Sequence, residues 1–402
     1  MALIVTDRED RASHKLRRDE RKMEAGVEHR ELDLPFCCAP SLAKGDSVPQ
    51  YLVYAGGFSD TNNKGIYAFA FNAANGSLLP LGLATKAKSP TCFAIHPNGR
   101  FLYAVVNLPD AASSVSSYEI DHKTGKLKLL NTVSARGANT CFVSVSHSGK
   151  YVLTANYASG SVASYPVMPD GSLGEAIGFS QHHGSSLSHE RQREAHAHSI
   201  NASPDDRFAI AADLGTDQLL VYRLKGGALV PNDPPFTRVA PGSGPRHFAF
   251  HPSGHFAYAV EELASNMTVF DYDAKRGVLR EIQTISMLPT GFTGTNFSAD
   301  VQIRPSGKFV YGSNRGDDTI AVFAVDAGSG KLIPVERVKS LGKTPRIFAI
   351  DPTGQFLIVA NEDSSSLVVV RIDQKSGRLT ATGEQVVAPK PTCIKFVRVQ
   401  PE

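Results

Sequence analysis

The stretch Gly244-Pro245-Arg246-His247-Phe248-Ala249-Phe250-His251-Pro252-Ser253-Gly254-His255-Phe256-Ala257-Tyr258-Ala259-Val260-Glu261-Glu262 decides the fold. Two short apolar runs flank His251-Pro252-Ser253-Gly254. Proline there supplies a fixed φ and glycine the positive φ of a tight reversal. In such a hairpin the start of the first strand lies beside the end of the second. Arg246 and Glu262 are therefore expected to be neighbours, although sixteen residues separate them.

The same hairpin recurs six times. Its turns are His96-Pro97-Asn98-Gly99, Ser146-His147-Ser148-Gly149, Ser203-Pro204-Asp205-Asp206, His251-Pro252-Ser253-Gly254, Arg304-Pro305-Ser306-Gly307 and Asp351-Pro352-Thr353-Gly354. Between them a Gly-x-Leu turn appears at Gly76, Gly125, Gly171, Gly227, Gly277, Gly330 and Gly377, in steps of 49, 46, 56, 50, 53 and 47 residues. Four short strands in each repeat of about fifty residues, with almost no helical period, predict an all-β, seven-bladed β-propeller. The missing seventh inner strand is found at the far end. Pro391-Thr392-Cys393-Ile394-Lys395-Phe396 copies Pro90-Thr91-Cys92-Phe93-Ala94-Ile95. The C-terminal strand should thus pair into the N-terminal blade and close the ring, which removes exposed sheet edges. Two separate β domains fit poorly, because one copy of the repeat is split between the termini.

Composition sets the outer limits. A chain of 402 residues with 42% hydrophobic content can bury a large core. A net charge of only +3 gives no reason to expect nucleic acid as a partner. No apolar run is long enough for a membrane-spanning helix. Five cysteines, an odd number spread over a long chain, fit a reducing, cytoplasmic setting better than a disulfide framework. Residues 1–48 are dense in both charge signs and lack a secretory signal; they read as a disordered extension preceding a propeller over 49–402. The adjacent Cys37 and Cys38 near its end carry no special role without a nearby base.

Aligning the repeats on the inner turn selects a site. Eight residues before the last turn residue stand Thr91, Cys141, His198, Arg246, Ala299 and Arg346, with Thr392 from the closing strand. Eight residues after it stand Asn107, Tyr157, Leu214, Glu262, Arg315 and Glu362, preceded in five blades by Asn156, Asp213, Glu261, Asn314 and Asn361. If the hairpins run without bulges, one mouth of the central tunnel carries His198, Arg246, Glu262 and Arg315, with Arg346 and Glu362 alongside. Guanidiniums in one mouth hold an anion through charge-assisted bonds and stabilise a developing oxyanion. A carboxylate and an imidazole beside them can move protons, and the arginines should keep Glu262 ionised. Singly, each residue also fits an inter-blade ion pair or a strand cap; their convergence favours a site.

The histidines of the longest inter-blade insertion, His182, His183, His189, His196 and His198, raise the question of a metal. His196-x-His198 on a strand would project both rings to one side. No adjacent cysteine or carboxylate cluster completes a ligand set, so no metal is expected. Cys92, Cys141 and Cys393 fall at inner-strand positions and should pack as small hydrophobes. Neither a Gly-x-Ser-x-Gly elbow nor a phosphate-cradling glycine loop is present.

Tyr54-Ala55-Gly56, Gly65-Ile66-Tyr67, Ala94-Ile95-His96-Pro97-Asn98-Gly99-Arg100-Phe101-Leu102-Tyr103, His196-Ala197-His198-Ser199, Asp213-Leu214-Gly215-Thr216-Asp217, Gly244-Pro245-Arg246-His247 and Ser313-Asn314-Arg315-Gly316 together resemble the seven-bladed β-propeller lactonase family. That family includes bacterial-type 6-phosphogluconolactonases, which act in the pentose phosphate pathway, and a fungal carboxy-cis,cis-muconate cyclase. The resemblance runs from about residue 50 to the end. It implies His198, Arg246, Glu262 and Arg315 as catalytic residues, with no metal or other cofactor. His196, His247, Arg346 and Asp300 are expected to bind substrate. Two positions depart from the family pattern: Glu261 stands where asparagine is usual, and Gln302 where histidine is usual.

The reading is a metal-independent lactonase acting on a small anionic sugar lactone, chiefly 6-phosphogluconolactone. Arg246 and Arg315 would hold the anionic group and the oxyanion, and Glu262 or His198 would activate water. A muconate-type cyclase would use the same site in the ring-closing direction, and a non-catalytic binding platform would show no turnover at all. A monomer or weak homo-oligomer is expected.

Overall fold

In the computed structural model, residues 50–107 and 113–399 are described; the charged extension 1–48 lies outside them. Twenty-eight strands form seven four-stranded antiparallel sheets, and no helix occurs among the described residues. Consecutive strands pair within each sheet. The exception is the sheet whose innermost strand, Pro391–Arg398, comes from the C-terminal end and pairs with Gln50–Gly57. The innermost strands touch in ring order, and Pro391–Arg398 contacts both Pro345–Ile350 and Phe93–Ile95, so the propeller closes as the repeats predict.

The six inner turns form as read. Each is closed by a backbone bond from its last residue to its first, as from Gly254 N to His251 O at 2.9 Å. Asp206 takes the left-handed conformation (φ 56°) that glycine takes at the equivalent places. The Gly-x-Leu turns join neighbouring blades. A Cβ at Gly277 would stand 2.4 Å from the Phe208 ring, and one at Gly76 would stand 2.5 Å from Phe356, across the closure. Only glycine lets the aromatic side chain of one blade lie flat against the next blade's turn.

The core lies between blades. Second strands are buried over most or all of their length, wholly so in Phe208–Asp213 and Phe356–Asn361. Outer strands such as Leu78–Lys86 present most of their residues to solvent. At closure, Phe396 sets its edge against Tyr51 and Phe71, with centroids 6.2 and 5.3 Å away. Three asparagines at the ends of second strands tie their own blades to the ones before. Asn156 Nδ2 donates to Ala135 O (3.1 Å), Asn314 Nδ2 to Met287 O (3.0 Å) and Asn361 Nδ2 to Ser340 O (3.1 Å).

One expectation is corrected. The inner hairpins are not free of bulges. The pairing of first and second strands shifts around Cys141, His198, Arg246 and Arg346, around Thr392 in the closing strand, and across Ala299 and Asp300. In five of the six the unpaired residue is the one the column alignment selects; in the sixth, Asp300 is left unpaired beside the selected Ala299. A bulge leaves one residue outside the ladder and redirects its side chain. It recurs in six of the seven blades; the pairing of Phe93–Ile95 with Phe101–Val106 has no such shift.

Candidate active site

Five of the redirected residues, Cys141, His198, Arg246, Arg346 and Thr392, meet in a cavity of about 280 Å3 at one mouth of the tunnel. Its lining includes His198, Arg246, His247, Glu262, Arg315 and Arg346, together with Thr91, Cys141, Tyr157 and Thr392 from the same two columns. Six of the eight predicted site residues therefore come together. His196 and Asp300 stand one layer back, each against a residue that lines the cavity. His196 stacks on Tyr157 (centroids 4.5 Å apart, 10° between planes) and its Nδ1 lies 2.9 Å from Tyr157 O. Asp300 holds His247.

Local sequence explains the placement of Arg246. Gly244 adopts φ 65°, and a Cβ there would stand 2.7 Å from Leu263. Its carbonyl accepts Glu262 N at 2.8 Å, which brings the carboxylate strand alongside. Pro245 then pairs with Glu261, Arg246 bulges inward, and pairing resumes at His247 with Val260.

Glu262 is the electrostatic centre. Its Oε2 accepts from Arg246 Nε and Arg315 Nη2, both at 2.9 Å, and its Oε1 accepts from Arg191 Nη2 at 2.6 Å. Burial alone would raise its pKa. The guanidiniums of Arg315, Arg246 and Arg191 outweigh burial and hold the carboxyl down at about 2. Burial, aided by Arg315, pushes Arg246 down to about 9, so all these arginines remain protonated at neutral pH.

The imidazoles are neutral. His198 is buried, and burial together with Arg246, His247 and Arg346 pushes its pKa well below the ordinary 6.5. Its Nδ1 faces Cys141 Sγ at 3.8 Å, while its Nε2 has no hydrogen-bond partner among the described residues; the residue lines the cavity. Burial and Arg246 bring His247 to about 4, against the pull of Asp300. Its tautomer follows from its neighbours. Arg246 Nη1, 3.1 Å away, can only donate, so Nε2 accepts and Nδ1 carries the proton given to Asp300 Oδ1 at 2.7 Å. The chain Asp300–His247–Arg246–Glu262 thus fixes the guanidinium from two sides.

Arg191 is the residue the column alignment missed. It lies in the insertion between blades, where no repeat counterpart exists to align it with. The only signal there was the insertion itself. The two histidines weighed as metal ligands meet different parts of Tyr157, His196 on its face and His198 at its edge. His182 is taken by Asp213 Oδ2 (2.6 Å) and the Tyr222 hydroxyl (2.9 Å). Among the described residues no group of three or more His, Cys, Asp or Glu is placed to hold a metal ion. Burial pushes the Cys141 thiol up to about 12, which leaves it no thiolate character at neutral pH.

A bound molecule would meet fixed cationic donors, an anchored carboxylate and a neutral imidazole with an open nitrogen. Such a set binds an anion, stabilises an oxyanion and shuttles one proton.

The sequence profile of the family described as "Lactonase, 7-bladed beta-propeller" matches residues 52–396. A 6-phosphogluconolactonase of Bacillus subtilis is 39% identical over 350 residues, covering 87% of this chain and 99% of that protein. One from Formosa agariphila is 31% identical, over 74% of this chain and 86% of its own length. Among solved structures, a periplasmic gluconolactonase of Pseudomonas aeruginosa superposes with a TM-score of 0.83 at 35% identity, covering 87% of this chain and all of that one.

Proposed function

This chain belongs to the seven-bladed β-propeller lactonase family, and we propose that it hydrolyses 6-phosphogluconolactone to 6-phosphogluconate in the His198 cavity. The observation that carries the mechanism is the unpartnered Nε2 of a neutral His198 in a cavity framed by fixed guanidiniums. With three arginines on one carboxylate, Glu262 is a weak base and serves to hold Arg246 and Arg315 in place. His198 is left as the base.

In this mechanism His198 Nε2 takes a proton from water as the water oxygen attacks the lactone carbonyl carbon. The carbonyl electrons move onto oxygen, where free N–H groups of Arg246 and Arg315 stabilise the negative charge. The tetrahedral species collapses, the bond from carbon to ring oxygen breaks, and the imidazolium returns its proton to that oxygen. The new carboxylic acid then ionises. His247 and Asp300 act behind the reacting atoms by fixing Arg246. No step calls for a metal, because the arginines supply the positive charge. The free thiols of Cys92, Cys141 and Cys393 accord with a reducing cytoplasm, in contrast to the periplasmic setting of the Pseudomonas structure.

The test is proton release from freshly generated 6-phosphogluconolactone in a pH-stat, corrected for spontaneous opening. Acceleration by the purified protein is expected. A rate no higher than background, on both phosphorylated and unphosphorylated gluconolactone, would defeat the hydrolase reading and favour a binding platform.

A further inference from the structure

The four arginines of the cavity are not equivalent. A guanidinium carries five N–H hydrogens. Arg246 gives three of them to Glu262, His247 and Ala299 O. Arg315 likewise gives three, to Phe297 O, Ser298 O and Glu262. Arg191 gives two, to Glu262 and the Tyr157 hydroxyl at 3.2 Å, and Arg346 only one, to Glu362 Oε2 at 3.4 Å. Arg191 and Arg346 are also the more open pair, with side chains 33% and 25% exposed against 3% and 14% for Arg246 and Arg315.

Each of this open pair is steadied by an aromatic ring at the rim of the cavity. The Arg191 guanidinium lies 5.7 Å from the Phe297 ring centroid, and that of Arg346 lies 5.4 Å from Phe58. Both rings line the cavity and remain partly exposed. Arg191 is also built in from behind. The next residue, Gln192, is fully buried and donates from Nε2 to Leu214 O and Asp217 Oδ1, both at 2.8 Å. Asp217 in turn accepts from the backbone of Gly242 and Gly244, in the loop that leads to Arg246. The insertion therefore delivers Arg191 to the mouth on the same support that positions Arg246.

Charge points the same way. Four guanidiniums face two carboxylates, Glu262 and Glu362, the two imidazoles are neutral, and behind them Asp300 is offset by Lys395, which leaves two positive charges uncompensated. A phosphate monoester carries about −1.5 to −2 at neutral pH.

We propose that Arg191 and Arg346, backed by Phe297 and Phe58, form the subsite for the phosphate of a phosphorylated lactone, and that Arg246 and Arg315 serve the reacting carbonyl. This inference rests on the hydrolase reading above and refines the division of labour expected from sequence, in which Arg246 and Arg315 held the anionic group. Arg191 is then a specificity residue carried by an insertion that the other blades lack.

The test compares wild type, Arg191→Gln and Arg346→Gln on 6-phosphogluconolactone and on unphosphorylated gluconolactone, with calorimetric titration of 6-phosphogluconate alongside. Glutamine keeps much of the stem, and both side chains are partly exposed; retained folding of each variant is checked by circular dichroism. Each variant should raise KM for the phosphorylated lactone roughly 10- to 100-fold, as expected for losing a charged hydrogen-bond donor, with kcat little changed. At a pH above the acid limb the loss on the unphosphorylated lactone should be much smaller, confined to what the changed charge beside Glu262 and His198 costs, and 6-phosphogluconate binding should weaken in parallel. Equal losses on both lactones, or none on either, would overturn the subsite. If wild type opens neither lactone, the hydrolase reading fails and the titration alone decides. Binding of 6-phosphogluconate that persists unchanged in both variants overturns the subsite in that case too.

Discussion

Arg246 and Glu262, sixteen residues apart in the chain, meet at 2.9 Å because Arg246 bulges out of one strand while Glu262 ends the strand beside it. Arg346 and Glu362 repeat the arrangement two blades further on, at 3.4 Å. The first pair is buried and shared with Arg191 and Arg315; the second is more open and lies at the rim.

Removing the shared carboxylate should be costly. Glu262→Gln leaves Arg246 and Arg315 buried without their common anion, and breaking a buried pair in this way costs about 3–5 kcal/mol. Urea denaturation should show a lower midpoint with an unchanged slope. Added phosphate should recover more thermal stability in the variant than in wild type, because the vacated cations gain an anion. A midpoint equal to that of wild type would mean that Glu262 does not organise the cluster.

The base assignment makes a claim about pH. His198 must be unprotonated to act, and burial, with Arg246, His247 and Arg346, keeps it so below its ordinary 6.5. The acid limb of kcat/KM should therefore lie well below pH 6.5, with activity lost as pH falls through it. Arg346→Gln removes one of the charges that depress His198 and should move the limb upward. A limb near 6.5 that does not respond to Arg346 would count against the assignment.

Glu261 occupies the place where Asn156, Asn314 and Asn361 donate to the preceding blade. Its Oε1 accepts from the Thr268 hydroxyl, and its Oε2 is buried without a partner. Burial raises its pKa to about 7, from 4.5 for an ordinary glutamate. A raised carboxyl binds more protons folded than unfolded between those values, so stability should fall as pH rises from 4.5 through 7. The shift corresponds to about 3 kcal/mol at most. Glu261→Asn should gain over wild type as pH rises, as read by chemical denaturation at pH 5 and pH 8. A stability difference that is the same at both pH values would contradict this.

Ring closure rests on Pro391–Arg398, whose Cys393, Ile394 and Val397 are buried. Deleting residues 390–402 should expose the edge of Gln50–Gly57 and abolish cooperative unfolding, giving aggregates by gel filtration. A monodisperse, cooperatively unfolding truncate would show that the closing strand is dispensable.

The fold was legible because its signals are periodic. Tight turns recur about every fifty residues, and the split copy Pro391–Phe396 reveals how the ring closes. The site was legible for a subtler reason. Bulges shift the pairing in the inner hairpins, yet they fall at the same place in almost every blade, so counting residues from the turn still lands on His198, Arg246 and Arg346. What periodicity could not reveal is whatever lacks a counterpart. Arg191 sits in a unique insertion, and its contacts with Glu262 and Tyr157 depend on a path across blades that no repeat encodes. His196 and Asp300 lie beside the column positions His198 and Ala299 in sequence. One stacks behind Tyr157 and the other bonds behind His247, which only the packing reveals.

The central claim, that His198 opens a sugar lactone in an arginine-framed cavity, is tested most directly by one comparison. Wild type and His198→Ala are assayed on freshly generated 6-phosphogluconolactone, with spontaneous opening subtracted. The account predicts clear acceleration by wild type and a loss of roughly 100- to 10,000-fold in kcat for the variant, the usual contribution of a positioned general base. A His198→Ala protein that turns over the lactone at the wild-type rate would contradict it.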